Sequence, residues 1–171
     1  MSLNEATEAD IRSVSVQLGR EARDIVAIAA RCICGNPIVV QTKPRLSDGT
    51  PFPTMYYLTL PAATAALSRL EADGVMVELQ DRLGTDPEFA KAYQVAHEQY
   101  LADRAKLGDV PEIDGISAGG MPTRVKCLHA LAGHALAAGP GVNLVGDAAL
   151  ELCSWKQNVC QCKPAIDVDV A

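Results

Sequence analysis

Two apolar runs, residues 25–30 and Pro37–Thr42, flank the segment Arg31-Cys32-Ile33-Cys34-Gly35-Asn36, and this arrangement most narrows what the chain can fold into. By periodicity alone the first run reads as helix or buried strand. The second is short and β-branched, and a third stretch, residues 55–60, is aromatic and β-branched between Pro53 and Pro61, which favours strands throughout. Residues 32–36 then form the first hairpin connection. Residues 43–51 form a longer second one, turned by Asp48-Gly49. The result is an antiparallel three-stranded meander.

Helical patterns surround it. Thr7 is placed to cap a helix over about 8–18, with Asp10 at the reciprocal position, Ile11, Val14 and Leu18 on one face, and Gly19 as the stop. Residues 62–73 are rich in Ala, Leu and Arg and end at Gly74, and a further helix opens at Val75 and closes at Gly84. Asp86-Pro87 starts another that runs toward Gly108 and carries His97, which reads as a surface or satisfied histidine. Residues 109–121 show no sustained period and form a connector long enough to suggest function. A helix over 125–138 closes at Gly139-Pro140-Gly141, and a shorter one lies within 143–155.

With 171 residues, 49% hydrophobic and 21% charged, the chain can bury one full core. The fold class is α+β: a small antiparallel three-stranded meander packed against four or more helices in a single domain, 1–171. Within it, 8–60 hold the first helix and the meander, 61–108 are helical, 109–121 are the connector, 122–162 hold helices and a Cys-containing tail, and 163–171 are a flexible C-terminus. A net charge of −6 and 4% aromatics lack the basic patch and stacking platforms of a nucleic-acid binder. No apolar stretch is long enough to span a membrane, and residues 2–12 are acidic and polar, so the expectation is a soluble, cytoplasmic protein.

In a reducing compartment, six cysteines point to metal or redox chemistry rather than disulfides. Two thiolates two positions apart on a tight turn can face one side, with Gly35 letting the backbone bend beneath them. Two sulfurs do not complete a site. Cys127, Cys160, Cys162 and His129 are the further candidate ligands, with Cys153 nearby in sequence and Cys127 placed at a helix start that favours thiolate. If the helix runs through Cys127, His134 lies about 20° from it and His129 about 160° away. If the helix starts only at Leu128, that exclusion of His129 fails. Abundant thiolates with few histidines favour an iron–sulfur cluster, with a Cys-rich zinc site as the alternative. The role is then structural, sensing or accessory.

A rival reading is a protein or enzyme acting on a small anion such as phosphate. It would use Lys43, Arg45, Arg124 and Lys126 at a helix N-terminus, with Cys127 or His129 as the reactive group. The chain has no G-x-S-x-G elbow, P-loop or H-E-x-x-H helix, so no catalytic residue is assigned.

Three motifs in order carry a resemblance: Arg31-Cys32-x-Cys34-Gly35-x-Pro37, Pro44-Arg45-Leu46-x-Asp48-Gly49-Thr50-Pro51-Phe52-Pro53-Thr54, and Gly120-Met121-Pro122-x-Arg124-Val125-Lys126-Cys127-Leu128-His129-Ala130-Leu131. With Gly139-Pro140-Gly141-Val142-Asn143, they resemble the bacterial Domain of Unknown Function 501 family over roughly residues 10–150. The resemblance implies no defined activity. It implies a protein partner linked to cell division, or a tie to phosphate metabolism. Relatives often carry cysteine where this chain has Leu60, so a quartet of that cysteine with Cys32, Cys34 and Cys127 would be incomplete here. Its fourth ligand would come from His129, His134 or the tail.

Overall fold

A computed structural model describes residues 4–162, and the expected flexible segment 163–171 lies outside the described residues. The chain runs through β1 (Asn4–Glu5), α1 (Glu8–Leu18), β2 (Ile25–Arg31), β3 (Pro37–Thr42), β4 (Tyr56–Leu58), α2 (Pro61–Ala72), α3 (Val75–Thr85), α4 (Pro87–Ala105), a 3₁₀ turn at Pro111–Ile113, α5 (Leu128–Ala138) and α6 (Leu144–Leu152). The class is α+β. The antiparallel sheet has the order β1-β2-β3-β4, four strands rather than three. The additional strand is two residues long and pairs Asn4 with Ile28 and Glu5 with Ala27 at the sheet edge. It has no apolar alternation, so nothing in its side chains marks it.

The first helix follows from local chemistry. Thr7 accepts from the Asp10 N–H while the Asp10 carboxylate accepts from the Thr7 N–H, and Gly19 ends the helix in the left-handed conformation. This helix packs on one face of the sheet, where Val14 and Ala22 meet Ile28 and Val40. The opposite face carries the main core, in which Val39, Met55, Tyr56 and Leu58 meet Leu67, Leu79, Tyr93, Leu128, Leu131, Val145 and Trp155. Covered on both faces, β3 is buried at every position, which is why Ile38, Val39 and Val40 are apolar without alternation.

Two glycines set the position of α5 between the sheet and α6. A Cβ at Gly133 would sit 3.1 Å from the Tyr56 carbonyl, and one at Gly146 would collide with the carbonyl of Leu131. The expected start at Val125 is displaced to Leu128. The Lys126 N–H donates to the Gly119 carbonyl (2.7 Å) and the Arg124 N–H to the Gly120 carbonyl (2.9 Å), so these residues are tied back to the connector and cannot enter the helix. The connector is anchored in turn by the buried Arg104, which donates to the carbonyls of Pro53, Ile113 and Ile116. His97 is buried and satisfied by the Ser117 hydroxyl at 2.8 Å. Among the described residues, no helix is long and apolar enough to cross a membrane.

Candidate metal centre

The turn joining β2 to β3 is closed by two short backbone bonds. Cys32 N–H donates to the Asn36 carbonyl and Gly35 N–H to the Cys32 carbonyl, each at 2.8 Å, with Gly35 at φ 92° where a side chain would be strained. Arg31 braces this turn from below. Its guanidinium forms a fork with Asp10, at 2.7 Å to Oδ1 and 2.9 Å to Oδ2, and also donates to the Gly35 carbonyl at 3.1 Å. The Arg31 hydrogen bonds hold the Asp10 carboxyl well below the usual carboxylate range, against the opposing effect of burial. The carboxylate that caps α1 therefore also fixes the cysteine turn.

Beyond α6 the chain returns to this turn. Cys153 is buried with its thiol against the carbonyls of Leu150 and Trp155, and Trp155 is packed into the main core. From that anchor the tail brings Cys160 and Cys162 alongside Cys32 and Cys34, and all four sulfurs lie within 4.8 Å of one another. The Cys34 and Cys162 sulfurs are 3.6 Å apart. Cys32 is buried, Cys162 half-buried, and Cys34 and Cys160 exposed.

Cys32, Cys34 and Cys162 are shifted in acidity, and not in the same direction. The Asn36 backbone N–H brings Cys34 down to about 7. Burial pushes Cys162 up to about 12 and raises Cys32 as well. Thiolates this close repel one another, so the set loses all its protons together only when a cation sits among them. Four soft donors at this spacing fit a thiophilic metal.

Cys127 and His129 lie in a second group, with Glu71 of α2. Cys127 is the N-cap of α5 with extended backbone, φ −152° and ψ 107°, so helical phase does not relate it to the histidines. Of the two candidates, His129 is the neighbour of Cys127. Glu71 Oε1 accepts from the Leu128 N–H at 2.8 Å and faces His129 Nδ1 at 3.2 Å, while His129 Nε2 donates to the Thr64 carbonyl at 3.0 Å. The Cys127 side chain raises His129 to about 9, and His129 in turn lowers Cys127 against the effect of burial. His134 belongs to the core instead. Its ring stacks on Tyr56 with centroids 5.8 Å apart, accepts from Asn143 Nδ2 at 3.1 Å, and is pushed down to about 4 by burial.

The four cations of the anion reading are all exposed. Arg45 is engaged by Glu112 at 2.6 Å and by the Gly49 carbonyl at 2.9 Å. Two surface concavities, one between α1 and the residue 46–52 loop and one between α4 and Gly141-Val142, are lined by none of the four. Leu60, at the N-cap of α2, is buried in the main core. Glu71 was not anticipated from sequence, because an acidic residue near the end of an amphipathic helix carries no signal that distinguishes it from a solvated one.

A family model described as protein of unknown function (DUF501) matches residues 28–151. The span includes Cys32, Cys34, Glu71, Cys127 and His129, and ends before Cys160 and Cys162. No curated protein and no solved structure matches.

Proposed function

Since the chain belongs to the DUF501 family, whose function is unknown, its role has to be read from its own side chains, and we propose a metal-binding protein in which Cys32, Cys34, Cys160 and Cys162 hold one zinc ion. The observation that carries this reading is the mutual approach of the four sulfurs to within 4.8 Å. Zinc–sulfur bonds of about 2.3 Å in a tetrahedron set sulfurs roughly 3.8 Å apart. The 3.6 Å between Cys34 and Cys162 is close to that value.

An iron–sulfur cube asks for a different spacing. It sets a separate iron before each thiolate, so its four sulfurs must stand well beyond single-ion separation. The geometry therefore favours one ion over a cube. Four thiolates also close the coordination sphere, leaving no position for substrate, as in structural zinc sites. The role is to pin the tail after α6 to the β2–β3 turn, with the exposed Cys34 and Cys160 as the side from which the ion enters. The small-anion alternative has weaker support, because Arg45 is already committed to Glu112.

Metal analysis and a visible spectrum on anaerobically purified protein test this reading. About one tightly held zinc per chain and no visible absorbance are expected, with Cys34→Ser and Cys160→Ser purifying nearly metal-free. Iron with acid-labile sulfide, or full zinc content in Cys34→Ser, would overturn it.

A further inference from the structure

We propose that Glu71, Cys127 and His129 form a second, open zinc site, with Glu71 Oε1, Cys127 Sγ and His129 Nδ1 as ligands and a fourth position free for water or an anionic oxygen. It shares no residue with the four-cysteine centre. It therefore stands or falls separately.

The donors are already gathered. A Glu71 carboxylate oxygen, the Cys127 sulfur and a His129 ring nitrogen lie within 4.8 Å of one another. The two side chains flanking the thiol are about one-quarter exposed, 26% for His129 and 25% for Glu71, so an ion and a small ligand can reach the group. Glu71 comes from the end of α2, and Cys127 and His129 from the start of α5.

The imidazole is turned as a ligand would be. Nε2 meets the Thr64 carbonyl at 3.0 Å, and a carbonyl can only accept, so that nitrogen carries a hydrogen. The Ser68 hydroxyl lies beside the same nitrogen at 3.1 Å. In a neutral ring, Nδ1 then holds the lone pair, and Nδ1 is the nitrogen that faces Glu71. A ligating histidine commonly gives its other N–H to a backbone carbonyl in this way.

Nδ1 and Oε1 stand 3.2 Å apart, within the range of an N–H···O bond and also a separation that one ion can bridge. Two light ligands at about 2.0–2.1 Å from one tetrahedral zinc stand roughly 3.3 Å apart. Charge agrees as well. One thiolate and one carboxylate neutralise a divalent ion, with the imidazole neutral. Three protein ligands and an open position are the pattern of zinc sites that take part in chemistry. There a bound water is acidified to a pKa near 7.

The test uses the full chain with its tightly held zinc in place, titrated with further zinc. Two readouts are taken: total zinc per chain, and the rate of Cys127 alkylation by iodoacetamide, mapped by mass spectrometry. A second zinc should bind and slow Cys127 alkylation at least about tenfold. His129→Ala and Glu71→Gln should each lose the second zinc and the protection while retaining the first. The pair Cys160→Ser/Cys162→Ser should show the converse, losing the tight ion and keeping zinc protection of Cys127. Failure of the four-cysteine reading would therefore leave the protection intact. Absence of protection in the unaltered protein, or protection that persists in both His129→Ala and Glu71→Gln, would overturn the proposal.

Discussion

The two cysteine groups solve opposite problems. At the β2–β3 turn, four thiols are supplied by two Cys-x-Cys pairs, one on that turn and one in the tail, Cys34 and Cys162 being 128 residues apart in sequence. Beyond the Trp155 anchor and apart from these sulfurs, the tail is held by light contacts such as Lys156 Nζ on the carbonyls of Leu150 and Glu151. There the ion would organise the chain. At the start of α5, by contrast, α5 is fixed by close backbone approaches, Gly133 to the Tyr56 carbonyl and Gly146 of α6 to the carbonyl of Leu131 in α5, and α2 supplies the carboxylate. There the chain organises the ligands whether or not an ion arrives. On the proposed reading, identical side chains would serve stability in one place and leave room for reactivity in the other, depending on what else is rigid nearby.

Metal removal should expose this contrast most strongly. A ligand bound only by the folded state stabilises by about 4 kcal/mol when its free concentration is a thousand times its dissociation constant. For a chain of this size that corresponds to roughly 8–16 °C in melting temperature. Treating reduced protein with a strong chelator should lower the melting temperature by about that amount while leaving the helical signal of the main core at low temperature. Cys160→Ser should melt at the lowered temperature and ignore the chelator. An unaltered protein that also ignores it would end the comparison, since the turn and tail would then be held by something other than the ion.

The brace beneath the turn comes next in size. Asp10→Asn keeps the shape of the cap but leaves the Arg31 guanidinium without its carboxylate. Asp10 is 9% exposed and Arg31 31% exposed at the side chain, so the cost is about 2 kcal/mol, less than for a fully buried pair. The pH dependence has a definite sign. A carboxyl whose folded pKa is depressed contributes stability that is present above its ordinary value near 4 and is lost as pH falls below it. Denaturation followed from pH 6 to pH 2 should show the unaltered protein losing an increment that Asp10→Asn never had. Because Arg31 also holds the Gly35 carbonyl, Asp10→Asn should weaken zinc at the four-cysteine centre, with Cys127 chemistry unchanged.

Much of the turn region was legible in the chain, and little of the second group was. The reciprocal Thr7–Asp10 cap, the stop at Gly19, and the apolar runs on either side of residues 32–36 are local signals, and each produced the element it announced. The edge strand at Asn4–Glu5 depends on backbone pairing alone and has no such signal. Val125 and Lys126 look helical in sequence. The Val125 N–H is taken by Gln80 Oε1 and the Lys126 N–H by the Gly119 carbonyl, and that capture decides which histidine neighbours Cys127. Glu71 reaches Leu128 across 57 residues, a pairing that depends on how α2 and α5 pack. The return of Cys160 and Cys162 is of the same kind: their donor chemistry was readable, their reach was not.

The smallest expected change in stability distinguishes a helix cap from a ligand at Glu71. Its Oε1 accepts from the Leu128 N–H, one of the donors at the start of α5 that lack a partner within the helix. Glu71→Gln retains an amide oxygen for that bond and should cost less than about 0.5 kcal/mol, whereas Glu71→Ala strands a part-buried donor and should cost about 1 kcal/mol. For zinc the order changes. Both substitutions remove the negative charge that balances the ion, so both should lose the second zinc, and Glu71→Gln should do so at almost unchanged melting temperature. Equal destabilisation by the two would mean that Glu71 acts through its charge on His129. In that case the carboxylate is an ion-pair partner holding a thiolate–imidazolium pair, and the open site has no third ligand.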